Sequence, residues 1–240
     1  AAALRPKRTA EVQLTLLDQG VEVLMEGVAA EGYEAIDRLT GFAIEQRLAR
    51  LGIDQGLGPE TLFEPEPVTI NLSGTPVPFP TGSFLQATAD GEMALVECVR
   101  DAVGDAARIG DLFAGLGTFA LATGAAYAAE ASRDAAAALK RAAAATLVEH
   151  RDLYRRPLDG AELKPFDAVI LDPPRAGAFE QVRALSTSAV GRIAYVSCNP
   201  ATFARDARLL VDGGYRLAWV RPVGQFRWST HVELAACFSR

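Results

Sequence analysis

The stretch ARIGDLFAGLGTF, residues 107–119, decides the fold of this chain. A short apolar strand runs directly into a turn that contains Gly115 and Gly117. These glycines remove side chains where the backbone must turn sharply and approach a ligand, and Asp111 adds a hydrogen-bond acceptor at the strand end. A GxG alone is equally often a tight turn, and a solvated strand end is the less favoured alternative for Asp111. The interpretation as a ligand site therefore depends on the surrounding sequence.

The region after residue 82 repeats this alternation of strand and helix. Helices are predicted at 84–104, 134–145 and 201–210, and strands at 124–132, 146–150, 166–172, 192–198, 216–223 and 232–240. Uninterrupted apolar runs such as FDAVILD and RIAYVSC are typical of strands that helices cover on both faces. We therefore expect an α/β fold with a parallel sheet that binds ligands at the carboxyl ends of its strands.

Residues 1–82 follow a different pattern. VQLTLL and VEVLMEG alternate around the turn DQG and predict a hairpin, while EAIDRLTGFAIEQRLARLG, residues 34–52, has apolar residues at helical spacing. PVTINLSGTPVPF, residues 67–79, predicts two short strands around an SG turn. We place a small α+β auxiliary domain at 1–82 and the α/β domain at 83–240. The auxiliary domain either helps to bind a substrate or is simply structural.

Two further carboxylates strengthen the case for a cofactor at the glycine turn. Glu130 ends the next strand, where a carboxylate can accept both hydroxyls of a ribose, and Asp152 follows the third strand, where it can meet an adenine amine. A dinucleotide would use the same groups, but the third glycine of GxGxxG is missing. The sequence of residues 111–119 is similar to the corresponding motif of S-adenosylmethionine-dependent methyltransferases.

The loop DPPRAGA, residues 172–178, ends one of the buried strands. Consecutive prolines continue neither a helix nor a sheet ladder, so they predict a stiff loop at the ligand edge. Methyltransferases that act on exocyclic amines have a similar loop, in which the prolines are followed by an aromatic residue that stacks on the base. Arg175 occupies that place here, which favours a reaction at carbon.

Cys198 comes directly after the strand RIAYVS and before Asn199 and Pro200, which are a good N-cap and first residue for a helix. The helix N-terminus favours a thiolate by about 0.3–1 kcal/mol. A cysteine at a strand end is also commonly a small core residue. Carbon 5 of uracil attacks a methyl group only after a nucleophile has added to carbon 6, and a base must then remove the carbon 5 proton. Cys198 and Glu233 are candidates for these two roles.

The motifs SFLQ, DLFAGLGTF, FDAVILDPPRAGA, YVSCNPATFARD and HVEL, in this order from Ser83 onward, resemble the RNA uracil-5-methyltransferase family. The resemblance implies a Rossmann-like class I S-adenosylmethionine-dependent methyltransferase sheet, with Cys198 as nucleophile and Glu233 as base. It implies a methyl-donor site formed by Gln86, Asp111, Phe113, Gly115, Gly117, Glu130, Asp152 and Asp172. Phe84, Gln86 and Arg175 are implied as contacts of the substrate base. Ala114 departs from the cysteine common at its position, a change that we expect to be harmless.

The resemblance also implies structured RNA as the partner, and residues 1–82 as part of an RNA-binding central domain. We expect a specific uridine of 23S rRNA as the target; transfer RNA, or a non-catalytic RNA-binding role, remains open. The formal charge of −6 argues against non-specific coating of nucleic acid, although basic residues gather at 5–8 and at Arg151, Arg155 and Arg156. The three scattered cysteines predict no metal site, iron–sulfur cluster or disulfide. We expect a cytoplasmic monomer without membrane segments, and a chain that is a fragment of a longer one.

Overall fold

The computed structural model describes residues 9–28, 30–226, 228 and 231–240. The chain divides into two units, Ala1–Ser83 and Phe84–Arg240. The basic stretch at 5–8 lies outside the described residues.

The first unit contains a four-stranded sheet in the order β1-β2-β3-β4, one helix and a separate hairpin. Its elements are β1 (Glu11–Leu17), β2 (Gly20–Glu26), α1 (Tyr33–Glu45), β3 (Arg50–Asp54), β4 (Pro59–Phe63), β5 (Thr69–Leu72) and β6 (Thr75–Pro78). The two predicted hairpins are present as the antiparallel pairs β1–β2 and β5–β6.

The prediction of one helix across residues 34–52 is wrong beyond residue 45. The helix ends before Arg47, whose positive φ of 54° breaks helical geometry, and the chain then forms β3 parallel to β2. Arg50 is buried there and donates from Nε to Glu22 at 2.7 Å and from Nη1 to the Phe79 carbonyl at 2.7 Å. The sequence around Leu51 does not predict a strand, because an arginine is not expected to be buried there. Its carboxylate partner, which allows the burial, lies far away in the chain.

The second unit is a seven-stranded sheet in the order β12-β13-β11-β10-β7-β8-β9, so the predicted α/β fold is confirmed. Its first elements are α2 (Ala89–Val103), β7 (Ile109–Leu112), α3 (Thr118–Thr123), β8 (Tyr127–Glu130), α4 (Arg133–Ala142) and β9 (Leu147–His150). The remainder are α5 (Gly160–Leu163), β10 (Ala168–Leu171), α6 (Phe179–Ser186), β11 (Arg192–Ser197), α7 (Pro200–Asp212), β12 (Arg216–Val223) and β13 (Glu233–Ser239). Two apolar clusters cover the two faces of this sheet, as the uninterrupted apolar strands predicted.

The expectation of a wholly parallel sheet is wrong for β13, which runs antiparallel to both β11 and β12. The connection between Val223 and Glu233 is too short for a crossover, which needs about a dozen residues or more. As a consequence, β13 begins at the edge of the sheet where β10 and β11 end. The first residue of β13 therefore lies among the last residues of its neighbours.

The predicted start of α2 is also wrong. The helix was predicted from Phe84, but it begins at Ala89, with the Thr88 side chain accepting a hydrogen bond from Gly91 N–H at 3.1 Å. This N-cap stops the helix from extending backwards. Phe84 and Gln86 therefore lie in a non-helical segment directly before α2, residues 83–88, which we call the approach segment. Their side chains do not follow helical spacing.

Within the described part of the chain, no helix combines the length and apolar character needed to cross a membrane. Cys98, Cys198 and Cys237 are all free thiols. In the same residues, no three His, Cys, Asp or Glu side chains converge as they would around a metal ion.

Candidate active site

Cys198 and Glu233 meet at the carboxyl edge of the sheet. In the register of β11 and β13, Ser197 pairs with Leu234, so Cys198 and Glu233 are the next residues along each strand. Cys198 is half-buried, and the negative charge of Glu233 acts directly on its thiol. The two candidate catalytic residues therefore share one small region, although they are separated along the sequence.

The electrostatics around Cys198 oppose the thiolate. Burial raises the pKa of the thiol, as do the charges of Glu233 and Asp172, whereas Arg175 lowers it. Asn199 caps α7 and Pro200 begins it, as predicted, but the net shift of the thiol pKa is upward. Burial and two carboxylates outweigh a helix end, whose effect is of the order of one pKa unit.

Asp172 and Glu233 are also pushed towards their neutral forms. Burial raises the pKa of Asp172 to about 7, with a further contribution from the charge of Glu233. Burial likewise raises the pKa of Glu233, which His231 and Arg175 partly offset. Three acidic groups with raised pKa values at one edge form a typical functional-site arrangement.

The loop DPPRAGA, residues 172–178, which we call the DPPR loop, is held in place by the start of α7. Asn199 Nδ2 donates to the Arg175 carbonyl at 3.0 Å, and the Thr202 hydroxyl donates to the same oxygen at 3.1 Å. These bonds leave the Arg175 guanidinium exposed, close enough to act on the charges of Cys198 and Glu233. The residues that follow Cys198 therefore hold the DPPR loop in position.

Asp206 is a buried anchor of this loop that the sequence did not reveal. Its Oδ2 accepts hydrogen bonds from the Ala178 N–H and the Tyr195 hydroxyl, both at 2.7 Å, and Arg205 donates to its Oδ1 at 2.8 Å. Arg205 also donates to the Ala176 carbonyl at 3.0 Å. An Arg-Asp pair in a helix gives no hint of these contacts, because its partners come from another loop and another strand.

The glycine turn after β7 has left-handed backbone geometry at three positions. Gly115 has φ of 55°, Gly117 has φ of 95°, and Phe113 between β7 and the turn has φ of 66°. A Cβ on Gly117 would lie 2.3 Å from Cδ1 of Leu139, whereas a Cβ on Gly115 would meet nothing within 4 Å. Gly117 is therefore required for close packing against α4, and Gly115 borders open space.

Asp111 is fully buried beside this turn. Neither of its carboxylate oxygens has a hydrogen-bond partner among the described residues, although the Ala120 N–H lies close enough to offset a little of the rise in its pKa. Burial, together with the charges of Asp172 and Glu130, holds that pKa well above its usual range. A buried carboxylate without partners is costly in a folded chain, so its position needs a reason beyond packing.

Glu130 and Asp152 already make structural hydrogen bonds. Glu130 accepts from Gly115 N–H at 2.8 Å and from Ser132 N–H at 2.6 Å, which joins the glycine turn to the end of β8. Asp152 accepts from the Tyr154 N–H at 2.9 Å and shapes the turn after β9. Each carboxylate retains lone pairs for a ligand, but the structure does not bring Asp152 into contact with the carboxylate group around Asp172.

Tyr154 is a second residue that sequence reasoning missed. Its ring packs against Phe113 with 5.6 Å between ring centroids, and its hydroxyl donates to the Gly177 carbonyl at 2.9 Å. Tyr154 thus joins the glycine turn to the DPPR loop. Proximity to Asp152 in sequence is the only pointer to it.

The approach segment before α2 brings two predicted substrate contacts to the surface. Phe84 is 76% exposed, and Gln86 is half-buried. Gln86 Oε1 accepts a hydrogen bond of 2.7 Å from Nε2 of Gln225, a residue of the connection between β12 and β13. Gln225 was not a candidate from sequence, because it stands outside every quoted motif.

Comparison with known proteins shows similarity to RNA methyltransferases. Residues 141–240 match the family model described as tRNA (uracil-5-)-methyltransferase. A 23S rRNA (uracil(1939)-C(5))-methyltransferase RlmD of Alteromonas naphthalenivorans is 32% identical over 243 residues, which cover 95% of this chain and 51% of that protein. The predicted resemblance to the RNA uracil-5-methyltransferase family is confirmed.

Two further proteins are similar to this chain. An RNA methyltransferase of Zymomonas mobilis, itself uncharacterized, is 54% identical over 244 residues, 99% of this chain and 62% of that protein. The crystal structure of Pyrococcus abyssi tRNA (uracil-54, C5)-methyltransferase in complex with S-adenosyl-L-homocysteine covers 91% of this chain and 56% of that one, with 26% identity and a TM-score of 0.73. The predicted class I methyltransferase fold is thus confirmed. The chain spans between half and two thirds of the length of these relatives.

Proposed function

We propose that the protein containing this chain transfers a methyl group from S-adenosylmethionine to carbon 5 of a uridine in structured RNA. The single observation that carries the proposal is the position of Cys198 beside Glu233 at the ligand edge. The charges of Asp172 and Arg175 also act on the Cys198 thiol there. A nucleophile and a base at one site are what carbon 5 of uracil requires.

Cys198 is the proposed nucleophile. Its thiol gives its proton to solvent, and the sulfur forms a bond to carbon 6 of the uracil while the electron pair of the 5,6 double bond moves towards the carbon 4 oxygen. The addition makes carbon 5 nucleophilic. The exposed Arg175 guanidinium lowers the pKa of the thiol and favours this step, against the opposing effect of burial.

Glu233 is the proposed base. When carbon 5 carries its new methyl group, Glu233 accepts the remaining carbon 5 proton, the 5,6 double bond re-forms and the Cys198 thiolate leaves. Burial raises the pKa of Glu233 above that of an ordinary carboxyl group, which makes its ionised form a stronger base.

The residues around the glycine turn suit a cationic, nucleoside-containing cofactor. Asp111 has two buried oxygens without hydrogen-bond partners among the described residues. Burial and the charges of Asp172 and Glu130 raise its pKa, so a positively charged group would relieve the repulsion among these three carboxylates. Gly115 borders open space beside Glu130, which can accept ribose hydroxyls. Bound there, S-adenosylmethionine supplies an electrophilic methyl group on a sulfonium centre. Phe113, Gly117, Asp152 and Gln86 are proposed as further contacts of this site.

The proposed substrate is a structured RNA in the cytoplasm, with 23S rRNA ahead of transfer RNA because an RlmD relative is named for 23S rRNA. Transfer RNA stays as the second candidate, since the family model and the Pyrococcus abyssi structure are named for it. The target base must leave its stack before a thiol can reach carbon 6, and the exposed Phe84 offers an aromatic surface for it. Residues 1–83 are proposed to contribute to RNA binding.

The proposal is tested with RNA that carries 5-fluorouridine, because fluorine does not leave as a proton and the Cys198 adduct persists. The full-length protein, the donor and a 23S rRNA fragment or a transfer RNA transcript are incubated and separated by denaturing electrophoresis. We expect a covalent RNA–protein band with one of the two RNAs. Cys198→Ala should abolish the band, while Cys98→Ala, which removes a thiol inside α2, should retain it. A band that persists in Cys198→Ala, or its absence in an otherwise active enzyme, would overturn the mechanism.

A further inference from the structure

We propose that Gln225 is a positioning residue that fixes the amide of Gln86 so that it offers N–H donors to a carbonyl oxygen of the target base. The inference rests on the proposed function, since it assigns the origin of preference for uracil. It concerns a residue outside every motif that identified the site.

The orientation follows from one backbone group. The Ala87 N–H can only donate, and it donates to the side chain of Gln225 at 2.8 Å, so the atom it meets is Oε1. The other end of the Gln225 amide is then the NH₂ group, which donates to Gln86 at 2.7 Å. The Gln86 atom that accepts must be Oε1, and its own NH₂ group is turned away from Gln225. Both amides are therefore oriented by chemistry that allows no alternative assignment.

Close packing keeps Gln225 in this position. A Cβ on Gly91, in the first turn of α2, would lie 2.6 Å from Cγ and 2.9 Å from Cδ of Gln225. The side chain of Gln225 therefore lies directly against the helix backbone, where only glycine leaves room. Packing and two hydrogen bonds together restrict the rotation of its amide.

The pair lies on the substrate side of the sheet. Gln225 belongs to the connection that leads into Glu233, and α2, which follows Gln86, packs against β11 and β13. The glycine turn follows β7, which is separated from β11 by β10. Among the described residues, no hydrogen bond uses the NH₂ group of Gln86. That group is accordingly available to a base held between Cys198 and Glu233.

Uracil and cytosine differ at carbon 4, where uracil has a carbonyl acceptor and cytosine an amino donor. An amide whose NH₂ group is fixed towards the base pairs with the carbonyl and opposes the amino group. A freely rotating glutamine would present its oxygen to cytosine instead and lose this discrimination. The specificity therefore comes from Gln225 as much as from Gln86.

Two substitutions whose side chains are close to glutamine in length distinguish orientation of the Gln86 amide from a purely structural role of Gln225. Gln225→Glu accepts from both the Ala87 N–H and the Gln86 NH₂ group, so it turns the Gln86 oxygen outwards. Gln225→Met fills similar space without any polar atom and leaves the Gln86 amide free to rotate. The rates of covalent adduct formation are measured with RNAs that carry 5-fluorouridine or 5-fluorocytidine at the target position. Melting temperature and S-adenosylhomocysteine binding are measured in parallel.

In Gln225→Glu we expect the rate with 5-fluorouridine to fall about 10- to 100-fold, because one hydrogen bond is lost and two acceptors face each other. The rate with 5-fluorocytidine should hold or rise, so the ratio of the two rates falls, and Gln225→Met should lie between this variant and the native protein. An unchanged ratio in Gln225→Glu, with both rates or the melting temperature lowered together, would show a merely structural role and overturn the inference. Failure of the native protein to form any 5-fluorouridine adduct would instead reject the proposed function.

Discussion

Glu233 is the first residue of β13 and Cys198 directly follows the last residue of β11, and the two lie side by side because these strands are antiparallel. The negative charge of Glu233 raises the pKa of the Cys198 thiol. The proposed base therefore hinders formation of the nucleophile at the start of the reaction and completes the reaction at its end. Removing the charge should affect the two stages in opposite directions.

Glu233→Gln should accelerate addition and stop turnover. The neutral amide no longer raises the thiol pKa, so alkylation of Cys198 by iodoacetamide should reach half its maximal rate at a lower pH than in the native protein. The carbon 5 proton then has no acceptor once the methyl group is attached, and release of methylated RNA should fall by about 10²-fold or more. Natural uridine RNA and the donor should accumulate a covalent adduct that is visible on a denaturing gel. An alkylation profile shifted to higher pH would contradict this assignment of charges.

Asp172 is expected to cost stability above neutral pH. Its pKa is about 7 in the folded protein against an ordinary value of 3.8, so between these values the folded state binds more protons than the unfolded state. Stability is therefore unaffected below about pH 4, falls as the pH rises towards 7 and stays lowered above it. Asp172→Asn should raise the melting temperature by a few degrees at pH 8, at ~2–4 °C for each kcal/mol, and hardly at pH 4. A rise of equal size at both values would point to packing instead of charge.

The sequence indicated candidate site residues where they stand at strand ends. Asp172, Cys198 and Glu233 each occupy the end or beginning of an apolar run, and local periodicity is enough to find such positions, whereas Asp111 lies inside β7. The direction of β13 was missed, because an apolar run looks the same whichever way it enters a sheet. The antiparallel direction nevertheless decides that Glu233 reaches the thiol.

The supporting residues were not predictable for a different reason. Gln225 bonds to Gln86 across 139 positions of sequence, and Tyr154 bonds to Gly177 across 23. Asp206 is one of two acidic residues in α7, and the other, the exposed Asp212, pairs with Arg208. Nothing in local pattern distinguishes the two aspartates, since burial against another element is what separates them.

Asp206→Ala should destabilise the second unit and loosen the DPPR loop. It leaves the Ala178 N–H and the Tyr195 hydroxyl without their acceptor in buried surroundings, at about 1–3 kcal/mol for each group. We expect the free energy of unfolding, measured by urea titration, to fall by about 3 kcal/mol or more, and adduct formation by Cys198 to slow. Asp212→Ala is the matched control on the same helix, and its exposed pair should contribute less than about 1 kcal/mol. Similar losses from both substitutions would contradict the anchoring role of Asp206.

The two glycines of the turn should separate packing from ligand binding. Gly117→Ala places a Cβ 2.3 Å from Cδ1 of the buried Leu139, at a φ of 95°, so it should lower the free energy of unfolding by about 2–3 kcal/mol. Gly115→Ala meets no atom within 4 Å and has only the left-handed backbone to accommodate, at about 1–2 kcal/mol. Its added methyl group enters the space proposed for the donor, however, so S-adenosylhomocysteine binding measured by calorimetry should weaken about 10-fold or more. If Gly115→Ala bound the ligand like the native protein while Gly117→Ala did not, the open space beside Gly115 would not be the donor site.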